Sequence, residues 1–184
     1  MPLVHQPGEK WTYSIGMDIL GCVIERASGV TFGTFLEENI FGPLGMTDTF
    51  FEVPESKQDR MIDLYGHKKS FKEFGVELPK NLGDKKLILL DPKEDSFFFQ
   101  EASIEDGGSG LVSTARDYLK FAKMLLNEGS LEGTTILRPE TVKIMTSNQV
   151  EKKAKPNRFD AFGQGVTVGI CLLYTSDAAD EADG

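Results

Sequence analysis

The sequence predicts an α/β layered domain of the α+β kind, and three observations carry that reading. Helical spacing of apolar residues comes first along the chain, over residues 14–28, 31–42 and 113–129. A strand-like run, 162–170, comes last, so helices have a sheet to cover. The 184 residues are 40% hydrophobic and 27% charged, a balance able to bury a sizeable core.

Taken in order, residues 7–12 form a turn, and 14–28 form a helix. Leu20, Val23, Ile24 and Ala27 follow i, i+3, i+4, i+7 spacing and predict its buried face, with Asp18, Glu25 and Arg26 mainly on the other side. Cys22 reads as a small buried hydrophobe within it. Gly29 supplies the stop. Thr31 can cap a second helix carrying Phe32, Leu36 and Ile40, which Gly42-Pro43 should end.

Residues 52–105 are more charged and less periodic. Two strands are expected there, 87–90 and 97–100, joined by the turn Asp91-Pro92-Lys93-Glu94-Asp95. After Asp106-Gly107-Gly108-Ser109-Gly110, a third helix opens at Ser113-Thr114. Thr114 and Asp117 have the form of a capping box, with Asp in place of Glu or Gln. Tyr118, Phe121, Ala122, Leu125 and Leu126 predict its apolar stripe, and Gly129 its end. A short strand, 134–137, precedes a small helix with Pro139 in its first turn. Residues 162–170 are expected to be the first strand of a sheet.

The formal net charge is −9. Nucleic acid is therefore excluded as an expected partner, because phosphate binding needs a basic surface. No apolar run reaches the length of a membrane-spanning helix, and the first residues have no secretory-signal pattern. If Met1 is an internal methionine, that second absence says nothing of the compartment. Residues 171–181, Cys-Leu-Leu-Tyr-Thr-Ser-Asp-Ala-Ala-Asp-Glu, resemble the translation of a transposase-type sequencing adapter. The expectation is a partial domain over 1–170 and a non-native tail over 171–184; a natural acidic tail is the alternative.

Generic chemistry motifs are absent. There is no G-x-x-x-x-G-K-[ST], no G-x-G-x-x-G, no H-E-x-x-H and no C-x-x-C, so neither a cofactor nor a metal is expected. Gly107-Gly108-Ser109-Gly110-Leu111 fails as a nucleophile elbow because Leu111 stands where G-x-S-x-G needs glycine. Ser109 then reads as a turn residue. His5 and His67 lack the setting of a Ser-His-Asp triad.

An ordered set of segments stands out. It comprises Pro7-Gly8-x-x-Trp11-x-Tyr13-Ser14, Asp18-x-Leu20-Gly21-x-Val23-Ile24-Glu25 and Phe41-x-Pro43-Leu44-Gly45-Met46-Thr47-Asp48-Thr49. Further on come Gly107-Gly108-Ser109-Gly110-Leu111-x-Ser113-Thr114-Ala115-x-Asp117 and Met124-Leu125-Leu126-Asn127-x-Gly129. Together they resemble the class C β-lactamase-like serine hydrolases, a group that includes penicillin-binding proteins, D-amino-acid peptidases and β-lactamase-like esterases. The resemblance covers about residues 1–170 and implies a β-lactamase/transpeptidase-like fold, here mainly its helical lobe. It implies acyl transfer through a serine acyl-enzyme on a small-molecule ester, amide, peptide or β-lactam substrate, without cofactor or metal. By the same resemblance Tyr13 is the catalytic tyrosine of a Y-x-N or Y-S-x motif, whose partners are the serine and lysine of an S-x-x-K motif. As a plain structural residue, Tyr13 would be an aromatic wedge beside Trp11.

Three departures qualify what the resemblance implies. No serine in the chain is followed by lysine at the S-x-x-K spacing, so the nucleophile is expected upstream and the chain itself is expected to be an inactive fragment. Ile15 occupies the asparagine place of Y-x-N; as a substrate-lining position it offers no amide, which favours the esterase-like and peptidase-like branches over strict β-lactam hydrolysis. No K-T-G, H-x-G or W-G-G type strand motif is present. A non-catalytic ligand-binding module of the same fold is the alternative function. Without both ends of the family's sheet, helical apolar faces would stay uncovered.

Overall fold

The structure, a computed structural model of the chain, describes residues 3, 5–7, 9, 15–68 and 86–147, with the backbone alone of 167–168 and 173–174. In chain order the helices are α1 (Gly16–Ser28), α2 (Phe32–Leu36), α3 (Gly42–Leu44), α4 (Ala115–Leu126) and α5 (Pro139–Thr146). The strands are β1 (Leu64–His67), β2 (Leu87–Asp91), β3 (Ser130–Leu131), β4 (Thr134–Thr135), β5 (Thr167–Val168) and β6 (Leu173–Tyr174). Two compact units result: Met1–Thr49 with Asp106–Ser109 and Ser113–Gly184, and Phe50–Glu105 with Gly110–Val112.

In the first unit α1 starts two residues later than its pattern predicts and stops at Gly29, whose φ of 79° is left-handed and whose N–H donates to Glu25 O at 2.8 Å. Glu25 Oε1 accepts the Phe32 N–H at 3.1 Å and ties α1 to α2. Thr31 caps α2 as expected, accepting from Thr34 N at 3.2 Å. Gly42-Pro43, however, does not end this helix. A π turn over Glu37–Phe41 carries the chain into α3, and the stop falls at Gly45, φ 64°. The wider turn puts Pro43 at the start of a new helical segment, where its missing N–H costs little.

The core of this unit gathers Phe41, Leu44 and Met46 against Met124 of α4, with Phe121 and Leu125 packed on them. The face of α4 thus centres on Met124, and two members of the expected stripe, Tyr118 and Leu126, are exposed at 66% and 82%. The face expected to be buried on α1 is likewise open: Leu20 and Val23 are 51% and 52% exposed, and Cys22 is exposed too. Only Gly21 of this helix is buried, because α1 is apolar on several sides and little of the described chain covers it. After α4, β3 and β4 pair as a hairpin, Ser130 opposite Thr135 and Leu131 opposite Thr134. Its turn residues Glu132 and Gly133 both have positive φ, 49° and 87°, the requirement of a type I′ turn. The strand expected over 134–137 is reduced to Thr134–Thr135. β5 pairs antiparallel with β6, Thr167 opposite Tyr174.

The second unit holds an antiparallel ribbon of β1 and β2 with a register shift between Leu64 and Tyr65. The strand predicted over 87–90 is therefore present, but its partner is β1. The strand predicted over 97–100 is instead a 3-10 turn, Phe97–Phe99. The cause is local: buried Asp91 accepts from Ser96 Oγ at 2.6 Å and Phe97 N at 3.1 Å, and Ser96 caps Phe98 N at 3.2 Å. Among the described residues no single helix is long and apolar enough to cross a membrane.

Candidate active site

Tyr13, Trp11 and Ser14 lie outside the described residues. Ile15 is described: it precedes the first residue of α1, with φ −74° and ψ 27°, and its side chain is 51% exposed. As the N-cap it offers no acceptor, so the amides of the first turn of α1 gain no side-chain cap from it. Asp18 is the acid of that first turn.

The Gly-rich loop is seated against this same turn. Asp106 organises the loop by accepting from Gly108 N at 2.7 Å and Ser109 Oγ at 2.9 Å. A Cβ on Gly107 would stand 2.4 Å from Met17 O, and one on Gly108 would stand 2.6 Å from Asp18 Oδ1 and 3.3 Å from Asp106 Oδ1. Gly107 is thus demanded by close approach of the loop to the α1 backbone, whereas Gly108 faces the end of the Asp18 side chain. Ser109 is exposed and its hydroxyl donates to Asp106, which makes it a turn residue, as its sequence setting suggests.

Asp18 was expected mainly on the far side of α1 from its apolar face, and the structure turns it inward to the loop. It is half-buried, and its Oδ1 is out of solvent beside the Gly108 N–H, which Asp106 takes. Its carboxyl is held above the usual carboxylate range, chiefly by a hydrogen bond with Asp106, with burial and the Asp106 charge adding. Asp106 is held below that range by the same bond, then by the Gly108 N–H and the Ser109 hydroxyl. Sequence reasoning missed this pair; the one available signal was an acid in the first turn of α1 and another opening a run of glycines.

A second junction joins two further segments of the ordered set. Thr114 Oγ1 caps α4, accepting from Asp117 N at 3.2 Å. The reciprocal half of the expected capping box is replaced: Asp117 Oδ2 accepts from Asp48 N at 2.6 Å and Thr49 Oγ1 at 3.2 Å, while Oδ1 pairs with Lys120 Nζ at 3.3 Å. Lys120 Nζ also donates to Gly45 O, and the Thr49 and Ser113 hydroxyls hydrogen-bond at 2.8 Å. Asp117, 2% exposed, is therefore architectural. His5 Nδ1 lies 3.1 Å from Gln6 O, and His67 is exposed on β1. Among the described residues no three His, Cys, Asp or Glu side chains come together to hold a metal.

Helices and short strands in this order define a β-lactamase/transpeptidase-like fold, that of serine hydrolases and acyltransferases. The chain belongs to the β-lactamase family, whose profile matches residues 1–171. It is similar to Protein Rv1367c of Mycobacterium tuberculosis, 32% identical over 181 residues, which are 97% of this chain and 41% of that protein. It is 32% identical over 157 residues to the lovastatin esterase of Penicillium rubens, covering 83% of this chain and 34% of the esterase. Among solved structures, unliganded simvastatin synthase (LovD) of Aspergillus terreus matches with a TM-score of 0.63 and 29% identity, over 84% of this chain and 34% of the synthase. The chain spans less than half the length of each of these relatives.

Proposed function

We propose that this chain is part of a serine esterase or acyltransferase that forms an acyl-enzyme on small-molecule esters, and that Tyr13 is its catalytic tyrosine. The observation that carries the reading is the likeness to the lovastatin esterase and to simvastatin synthase over more than four fifths of the chain. The Tyr13-Ser14-Ile15 triplet supports the same branch, since Ile15 brings no amide to a β-lactam. In this reaction a serine oxygen attacks the ester carbonyl, the alcohol leaves with a proton, and an acyl-enzyme remains. Water or a second alcohol then takes the acyl group. A tyrosine, with a pKa of about 10, can accept the serine proton only beside a fixed positive charge. That charge belongs to the lysine of an S-x-x-K motif, which the 184 residues do not contain. Serine and lysine are placed on a segment preceding Met1, and residues 171–184 are read as a non-native tail.

The test is long-read sequencing of the source DNA across both ends of the frame, followed by assay of the full product with p-nitrophenyl esters. An upstream S-x-x-K, a burst of p-nitrophenol and a loss of roughly 100-fold or more in Tyr13→Phe are expected. A full product with no S-x-x-K and no burst would overturn the reading and leave a ligand-binding module.

A further inference from the structure

We propose that Asp18 and Asp106 share one proton, forming a carboxyl–carboxylate latch that fastens the Gly-rich loop to the first turn of α1. Its bearing on catalysis rests on the reading of Tyr13 given above, because α1 begins three residues after that tyrosine.

Asp18 Oδ1 is out of solvent, and the Gly108 N–H beside it is taken by Asp106 Oδ1 at 2.7 Å. A buried polar atom left so is costly, and an ionised one more so. Asp106 is the favoured ionised member, because both its oxygens already accept, from Gly108 N and from Ser109 Oγ. An ionised carboxylate is acceptor-only, so a hydrogen bond between the two acids needs a proton, which Asp18 carries and donates to Asp106. The two side chains flank the same point, the place a Gly108 Cβ would fill, 2.6 Å from Asp18 Oδ1 and 3.3 Å from Asp106 Oδ1. Among the described residues no lysine or arginine forms an ion pair with either acid. From α1 the pair is faced by Asp18 alone, and from the loop by Asp106, with Glu105 next to it in sequence. Among the described residues these charges are of one sign, and two adjacent carboxylates without a cation hold a proton between them.

The latch is therefore tuned by pH, with opposite signs for its halves. Asp18, raised above 3.8, contributes fully below that value, and its contribution is lost as pH rises through the raised pKa. Asp106, lowered below 3.8, contributes above that value, and its contribution is lost as pH falls through the lowered pKa. The latch is tightest between the two. On the alkaline side two like charges push the loop from α1, and on the acid side the acceptor for Gly108 and Ser109 is gone.

Carbon-13 titration of the aspartate carboxyls by NMR, on the full 184-residue chain, tests this. Asp18 is expected to titrate above, and Asp106 below, the ordinary aspartate position. Asp106→Asn should bring Asp18 back toward that position. Asp18→Asn should leave Asp106 low, because an amide N–H replaces the shared proton, and the Gly108 amide shift should then stop following pH on the alkaline side. Ordinary titration of Asp18 in the unmodified chain, or a raised Asp18 in Asp106→Asn, would overturn the latch. Should a variant fail to fold, the unmodified chain decides alone. No turnover is measured, so the outcome is separate from that of Tyr13→Phe.

Discussion

Asp117 Oδ2 accepts the backbone N–H of Asp48 at 2.6 Å, so one carboxylate on α4 holds a turn that precedes it by 69 residues. The same side chain takes the Thr49 hydroxyl at 3.2 Å and the Lys120 ammonium at 3.3 Å.

Removing that carboxylate takes away the acceptor that Asp117 offers to the part-buried Asp48 amide and one of two partners of the buried Thr49 hydroxyl. Asp117→Ala should destabilise the chain by about 3 kcal/mol. Asp117→Asn, which keeps an acceptor but not the charge, should fall between it and the parent. Urea denaturation followed by circular dichroism reads both, and equal midpoints for Asp117→Ala and the parent would contradict the role assigned to Asp117.

Gly107 meets α1 at a distance no side chain tolerates, 2.4 Å from Met17 O to its would-be Cβ. Gly107→Ala should lift the loop and lower hydrogen-exchange protection over the first turn of α1. Gly133→Ala is the control: nothing lies within 4 Å of its Cβ, and its φ of 87° confines the strain to the hairpin turn. Its cost should be about 1 kcal/mol, with α1 protection unchanged.

Met124 has no exposed surface and sits at the centre of its core. Met124→Ala should cost about 2–5 kcal/mol through lost burial and the cavity left behind. Leu126→Ala, at a residue 82% exposed, should stay within about 0.5 kcal/mol in the same assay.

Thr114→Ala removes the acceptor for Asp117 N and should cost about 1 kcal/mol, while Thr114→Ser keeps the cap and should recover most of it. A thermal melt of the three proteins separates them.

Much of the helical frame was legible in local pattern, because caps and stops act within a few residues. Thr31 and Thr114 cap where their sequence says, and Gly29 stops α1 with a left-handed residue. What escaped was anything decided at long range or by one extra residue. Thr114 and Asp117 look like a self-contained capping box, yet the acid turns outward to a partner far back in the chain. Gly42-Pro43 looks like a stop until a π turn moves the proline to a harmless position. Residues 97–100 alternate poorly but are aromatic enough to pass for a strand, and Asp91 with Ser96 folds them into a turn instead. At the candidate site, sequence motifs pointed to Tyr13 and Ile15, the second of which leads directly into α1. The Asp18–Asp106 pair was hidden because its meaning exists only once the loop and the helix meet.

The apolar surface left open on α1 also carries a chemical reporter. Cys22 is exposed beside Val23 and near Leu20, which are themselves about half exposed. Alkylation measured at the Cys22 peptide by mass spectrometry therefore reads the accessibility of that helix directly. It should be fast in the 184-residue chain and slower in any longer protein whose added strands lie over α1. A single thiol turns the completeness of the domain into a reaction rate.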